Sequence, residues 1–346
     1  MRLIEINKIA EASEKISALV RTTEYQKSNY FSKLFNTNIF YKREDQQIIK
    51  SFKIRGAYNK ILSLKNSDLS KGLVCASAGN HAQGFALSCS HLNKKGTVFI
   101  PKSAPQLKIE RVSQFGGKFI DINIHGLNFY DAYDEAKIFT KNNNMVFIHP
   151  FDDMKVIEGQ ATLFLEMIHQ VDFNIDYLFV PIGGGGLLSG ALNVFKQLSR
   201  STKIVGVQVK GAPAMKKSLE AKKLISLNDV DNFVDGAVVR KVGKLTYDFC
   251  KNYLDEIVIV DEGEICHNIL LLSQNEKIIA EPAGAMSIAA LRKYKNKIKN
   301  KNIMCLICGG NNDPKRLPEI EKRSQEWLYK MKKLSLIHIS EPTRPY

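Results

Sequence analysis

From Gly72 onward the chain repeats one pattern: a short run of apolar residues, a turn, then an amphipathic helical stretch. Runs such as Tyr177–Pro181 are apolar without alternation, so both faces of such a strand must be covered. Parallel sheets with helices on both faces meet that demand. Strands are expected at 38–41, 72–76, 97–100, 118–122, 145–148, Tyr177–Pro181, 204–209, Glu256–Val260 and Asn302–Ile307. Helices are expected at 4–19, from Lys53 to about the polar break 65–67, and at 80–90, 106–115, 129–141, 155–170, 187–198, 262–273 and 283–294. The stretches between the first helix and residue 38 and between 210 and 255 read as irregular. A chain of 346 residues built this way is long enough to form two lobes.

The formal charge of +15 raises the question of a nucleic-acid partner. The excess is mostly dispersed lysine, denser near 292–301 and 315–333, and aromatic residues do not interleave with it. A solvated lysine-rich surface, with an anionic small ligand, accounts for it better. A 44% hydrophobic and 25% charged composition is ordinary for a globular protein. No apolar run is long enough for a membrane span and the N-terminus does not read as a signal peptide, so a cytoplasmic location without membrane partners is expected.

The six cysteines lie mostly in apolar runs, which suits buried thiols rather than a disulfide framework. Cys305 and Cys308 have the spacing of a redox or zinc half-site. They belong to a strand, where residues three apart face opposite sides, and no second pair completes a zinc site. No metal site is expected. The tail 331–346 reads as non-native or disordered, and 334–346 reads like translated sequencing-adapter DNA.

Four loops, each at a strand end or a helix start, carry the chemistry; open α/β sheets place their ligands there. The first is Ser51-Phe52-Lys53-Ile54-Arg55-Gly56-Ala57. A lysine opening a helix beside Phe52 feels the positive end of the helix dipole and loses solvent, and both effects favour a neutral amine able to attack a carbonyl. The second is Ser77-Ala78-Gly79-Asn80-His81-Ala82-Gln83-Gly84. Its glycine and helix-start amides suit a carboxylate, with Ser77, Asn80 and His81 as side-chain partners, although a plain capped helix start has the same composition. The third is Gly183-Gly184-Gly185-Gly186-Leu187, a cradle of backbone amides. It lacks both the ending of a nucleotide P-loop and dinucleotide spacing, so one phosphate monoester fits best. The fourth is Cys308-Gly309-Gly310-Asn311-Asn312, which presents a small polar group at a strand end, or is a simple turn. An activated lysine, a phosphate cradle, a carboxylate loop and a small polar group together describe a pyridoxal 5'-phosphate site.

These motifs, with Glu281-Pro282-Ala283-Gly284-Ala285, resemble those of the threonine dehydratases (threonine ammonia-lyases), fold-type II pyridoxal-phosphate enzymes with a tryptophan-synthase-β-like architecture. The resemblance covers nearly all of residues 1–330. It implies a large cofactor-binding lobe from residues 1–68 and 149–330 and a small lobe from 69–148. It makes Lys53 the Schiff-base lysine with Phe52 against the ring. Asn80 would meet the ring's phenolic oxygen, Gly183–Leu187 the phosphate and Cys308 the pyridine nitrogen. The implied activity is β-elimination of L-threonine to 2-oxobutanoate and ammonia, the first step of isoleucine biosynthesis, in a homodimer or homotetramer.

Cys308 stands where threonine enzymes usually carry serine, which keeps an L-serine dehydratase as an alternative; a non-catalytic pyridoxal-phosphate-binding protein is another. Ala78 and Gln208 replace a serine and a glutamate of the related serine racemases, so racemisation and a racemase-type metal site are not expected. The stretch 319–324 resembles the passage from catalytic to regulatory domain in biosynthetic threonine dehydratases. With the adapter-like tail, it implies a missing C-terminal regulatory domain and insensitivity to isoleucine.

Overall fold

The computed structural model describes residues 1–339. Ten strands form two sheets: β1 (Tyr25–Lys27), β2 (Asn38–Arg43), β3 (Leu73–Ala76), β4 (Gly96–Ile100), β5 (Ile120–Ile124), β6 (Val146–Phe147), β7 (Tyr177–Pro181), β8 (Lys203–Val209), β9 (Glu256–Val260) and β10 (Asn302–Ile307). The larger sheet has the order β1-β2-β10-β7-β8-β9, the smaller β5-β4-β3-β6. Every pairing is parallel except β1 with β2. The larger sheet is therefore mixed, with an antiparallel strand at one edge that the apolar pattern does not reveal. In the continuously apolar strands β3 and β10, nearly every residue is buried, as two-faced covering requires.

Several expected boundaries move. The first helix is Ile6–Ile16, and the lysine helix Lys53–Leu62 stops before the polar break, with a separate turn at Asn66–Leu69. The single helix expected over 283–294 is two, Pro282–Ala289 and Leu291–Tyr294. Three helices, Asn29–Phe35, Ala214–Glu220 and Lys244–Tyr253, lie in stretches expected to be irregular. The tail expected from residue 331 is helical as far as Ile339, within Leu317–Ile339; residues 340–346 of the adapter-like segment lie outside the described residues.

The lysine helix lies between the two sheets. It packs on Met154–Gln170 on one side and on Asn80–His91 on the other. Glycines permit the approach: a Cβ at Gly84 would stand 3.2 Å from the backbone of Lys53, and one at Gly159 would stand 2.5 Å from Arg55 O. Arg55, 1% exposed, pins the same helix to the turn that follows β2 through Glu44, with Nε to Oε2 at 2.8 Å and Nη2 to Oε1 at 2.7 Å.

Candidate active site

Lys53 begins its helix, and the chain ahead of it runs beside β10. Phe52 N–H donates to Cys308 O at 3.2 Å, and Ser51 bridges to Gly309. This sets Lys53 facing the glycine loop. Phe52, Lys53, Gly183, Gly184, Gly185, Gly186, Leu187 and Cys308 line one cleft, so most of the residues singled out in the sequence converge there. Burial holds the Lys53 amine down at about 8, against smaller upward pulls from Cys308 and Glu281. Nζ donates to Pro150 O at 2.9 Å and lies 5.4 Å from the Phe52 ring centre.

The glycine loop links β7 to helix Gly186–Leu198. Gly185 has φ +96°, and a Cβ there would stand 2.7 Å from Thr246 Cβ. Only glycine meets both conditions without strain. Thr246 Oγ1 donates to Gly184 O at 2.7 Å, and Asp152 accepts from Lys244 N and Leu245 N at 3.0 and 2.9 Å. The loop is thus braced from the start of helix Lys244–Tyr253, which was not foreseen.

The Ser77–Gly84 loop behaves differently from its reading as a set of side-chain partners. Ser77 Oγ accepts from Gly79 N at 3.1 Å, folding the loop on itself. His81 is 3% exposed, and burial holds its ring down at about 3. A neutral ring facing Ile148 O at 3.0 Å must donate from Nε2, which leaves Nδ1 with a bare lone pair. The His81 ring is therefore no donor for a carboxylate; what the loop offers is the backbone amides of its first helical turn. Asn80 reaches Glu281 Oε1 with Nδ2 at 2.7 Å. Cys308 Sγ donates to Ala283 O at 3.4 Å, and burial pushes its thiol well up, so it stays protonated.

Sequence reasoning missed the turn His149-Pro150-Phe151-Asp152, where the chain crosses from the smaller sheet to the larger. His149 Nδ1 accepts from Asp152 N at 2.8 Å, which aims Pro150 O at Lys53. The Phe151 ring closes over Gly184, where a Cβ would collide with it. Nothing periodic marks these residues, and a backbone carbonyl leaves no trace in sequence. Among the described residues no cluster of metal-ligating side chains occurs. Gln208 Oε1 accepts from Lys216 N at 3.0 Å.

A buried amine of depressed basicity facing a side-chain-free anion cradle fits pyridoxal phosphate. Comparison with known proteins agrees. Residues 16–309 match the family described as pyridoxal-phosphate dependent enzyme. The chain belongs to this family. A relative named L-threonine dehydratase biosynthetic IlvA, from Halalkalibacterium halodurans, is 45% identical over 324 residues, covering 94% of this chain and 78% of its own. The Bacillus subtilis protein of the same name is 42% identical over 322 residues, 93% of this chain and 76% of its own. Among solved structures, the processed form of threonine deaminase isoform 2 from Solanum lycopersicum superposes with a TM-score of 0.86 at 34% identity, covering 93% of this chain and 97% of that one. Maize serine racemase also gives 0.86, at 30% identity, covering 97% and 100%.

Proposed function

We propose that this protein is an L-threonine ammonia-lyase, converting L-threonine to 2-oxobutanoate and ammonia by β-elimination at the head of isoleucine biosynthesis. The observation that carries the reading is the Lys53 amine, buried and held at about 8, opposite the glycine loop in a chain 45% identical to a threonine dehydratase. Pyridoxal phosphate, when bound, supplies a carbonyl for amines and a ring that draws electron density from the substrate's Cα.

The rest falls to the chain. Gly183–Leu187 would hold the phosphate, with Phe52 against the ring and Cys308 toward its nitrogen. Cys308 keeps its proton and presents no fixed charge, so nothing at that position enforces a protonated ring. The amides beginning helix Asn80–His91 would hold the substrate carboxylate, with Ser77 closing the loop over it. Lys53 Nζ titrates near neutrality, so it can take the α-proton and give one back without a large energy step. Phe151 lines the cleft over the glycine loop and would screen the site from water.

The two sheets support a division into a large lobe, residues 1–68 and 149–330, and a small lobe, 69–148. We place the enzyme in the cytoplasm as a homodimer or homotetramer. The location draws on six free, buried cysteines, the assembly on the family resemblance. No helix among the described residues is long and apolar enough to cross a membrane.

Cys308 keeps L-serine as the second substrate to test. Purified protein with added cofactor should release 2-oxoacid from threonine faster than from serine, and Lys53→Ala should release none from either. Faster turnover of serine would move the assignment to the serine lyases; wild-type activity in Lys53→Ala would overturn it.

A further inference from the structure

Glu281 is buried in the site but belongs to neither the lysine nor the cradle. It is 5% exposed, and its Oε1 accepts from Asn80 Nδ2 at 2.7 Å. A Cβ at Gly309 would collide with that oxygen, so the glycine there leaves room for the carboxyl. Its backbone N–H donates to Gly309 O at 3.1 Å, tying the acid to the loop after β10.

Asn80 is held from its other side as well. Asn311 Nδ2 donates to Asn80 Oδ1 at 2.7 Å and to Ile49 O at 2.8 Å, with Gln83 Oε1 at 3.3 Å. The Ile49 carbonyl can only accept, so the Asn311 amide cannot turn round. Asn80 must then present its oxygen to Asn311 and its nitrogen to Glu281. An asparagine has two N–H donors and one oxygen. With the oxygen turned to Asn311 and one N–H on Glu281, the amide direction is fixed and the second N–H is left to donate.

We propose that Glu281 is a positioning residue: with Asn311 it locks Asn80 as a one-way donor to an oxygen of the bound cofactor, and its own carboxyl exchanges a proton at the far end of that hydrogen bond. This rests on the cofactor reading above. The groups facing Glu281 are Asn80, the Asp235 carboxylate, Lys108, Arg316, Lys53 and Cys308. Burial, then Asp235, raises its carboxyl to about 7, against Lys108, the Asn80 hydrogen bond and Arg316. Its charge therefore changes near neutral pH, within electrostatic reach of the Lys53 amine.

The test is the visible absorbance of the cofactor-loaded enzyme across pH without substrate, in wild type, Glu281→Gln and Glu281→Ala. Glutamine keeps an oxygen for Asn80 but cannot ionise. Its variant should bind cofactor within about threefold of wild type and lose the spectral component that titrates near 7. Glu281→Ala, and Asn311→Leu as an independent variant, should both alter the spectrum and lower kcat by about tenfold or more, with KM moving less. A wild-type titration in Glu281→Gln, or wild-type spectra and kcat in both other variants, would overturn the role of Glu281 alone. A loaded wild type with no visible band would overturn the cofactor reading and this inference with it.

Discussion

At the scale of single residues, the site stores an unfavourable charge. Burial holds Lys53 at about 8, whereas an unfolded lysine titrates near 10.5. Below pH 8 both states are charged, and the folded one carries the whole cost of a buried ammonium. From about 8 to about 10.5 the folded amine is neutral while the unfolded one is still charged, so stability from this group rises with pH across that window. Lys53→Met should therefore stabilise the cofactor-free protein by about 3 kcal/mol at neutral pH, an advantage that fades from about pH 8 and is gone above about 10.5. Denaturant midpoints of both apoproteins against pH check this, and equal midpoints at neutral pH would contradict it. Lys53 itself was legible because helix start, glycine loop and strand order reinforce one another. Pro150, Phe151 and Asn311 were not, because their contributions are a carbonyl, a ring edge and an amide whose direction is set by Ile49 O, and none of these has a spacing.

At the scale of elements, the lysine helix is held in register by charge as well as by packing. Arg55, Glu44, Glu166 and Lys42 form one buried network: Arg55 Nη2 lies 3.0 Å from Glu166 Oε2, and Lys42 Nζ donates to Thr23 O and Gln170 Oε1, each at 2.6 Å. Removing one member leaves another as an uncompensated buried charge. Arg55→Leu should cost about 3–5 kcal/mol, and adding Glu44→Leu should recover part of it. Guanidinium unfolding with an unchanged slope is the measure, and a loss below about 1 kcal/mol would show the network to be dispensable. The two buried sheets were readable because continuous apolar runs need covering on both faces. The edge strand β1 and helix Lys244–Tyr253 were not. The first is three residues long, and the second owes its start to Asp152, far away in sequence.

At the scale of the whole molecule, the proposed lobes meet through the packing of the lysine helix on helix Asn80–His91 and, across the cleft, through a small set of polar contacts. Lys108, from the smaller-sheet side, pairs with Asp235 on the loop after the short turn Asn232–Val234, and Arg316 Nη1 approaches the same carboxylate at 3.7 Å. Arg240 lies over the Tyr130 ring at 4.9 Å, and its backbone N–H donates to the tyrosine oxygen. These bonds join partly exposed side chains outside the apolar packing of the lysine helix on Asn80–His91, so they bear on closure more than on folding. The Asp235 side chain is 37% exposed, and pairs of that kind contribute about 0.2–1 kcal/mol. Asp235→Ala should therefore move the unfolding midpoint little while raising KM for the amino acid several-fold, because the closed form becomes less populated. Asp235 also raises the Glu281 carboxyl, so the comparison belongs well above pH 7, where Glu281 is ionised in both proteins. Salt provides the independent arm. Screening lengths fall from about 10 Å at 0.1 M to about 3 Å at 1 M, so wild-type KM should rise with salt and that of Asp235→Ala should stay flat. A KM that is salt-independent in both proteins, or an Asp235→Ala change confined to the unfolding midpoint, would remove Asp235 from closure and leave the lobes held by the lysine-helix packing, the Tyr130–Arg240 contact and the turn at His149–Asp152.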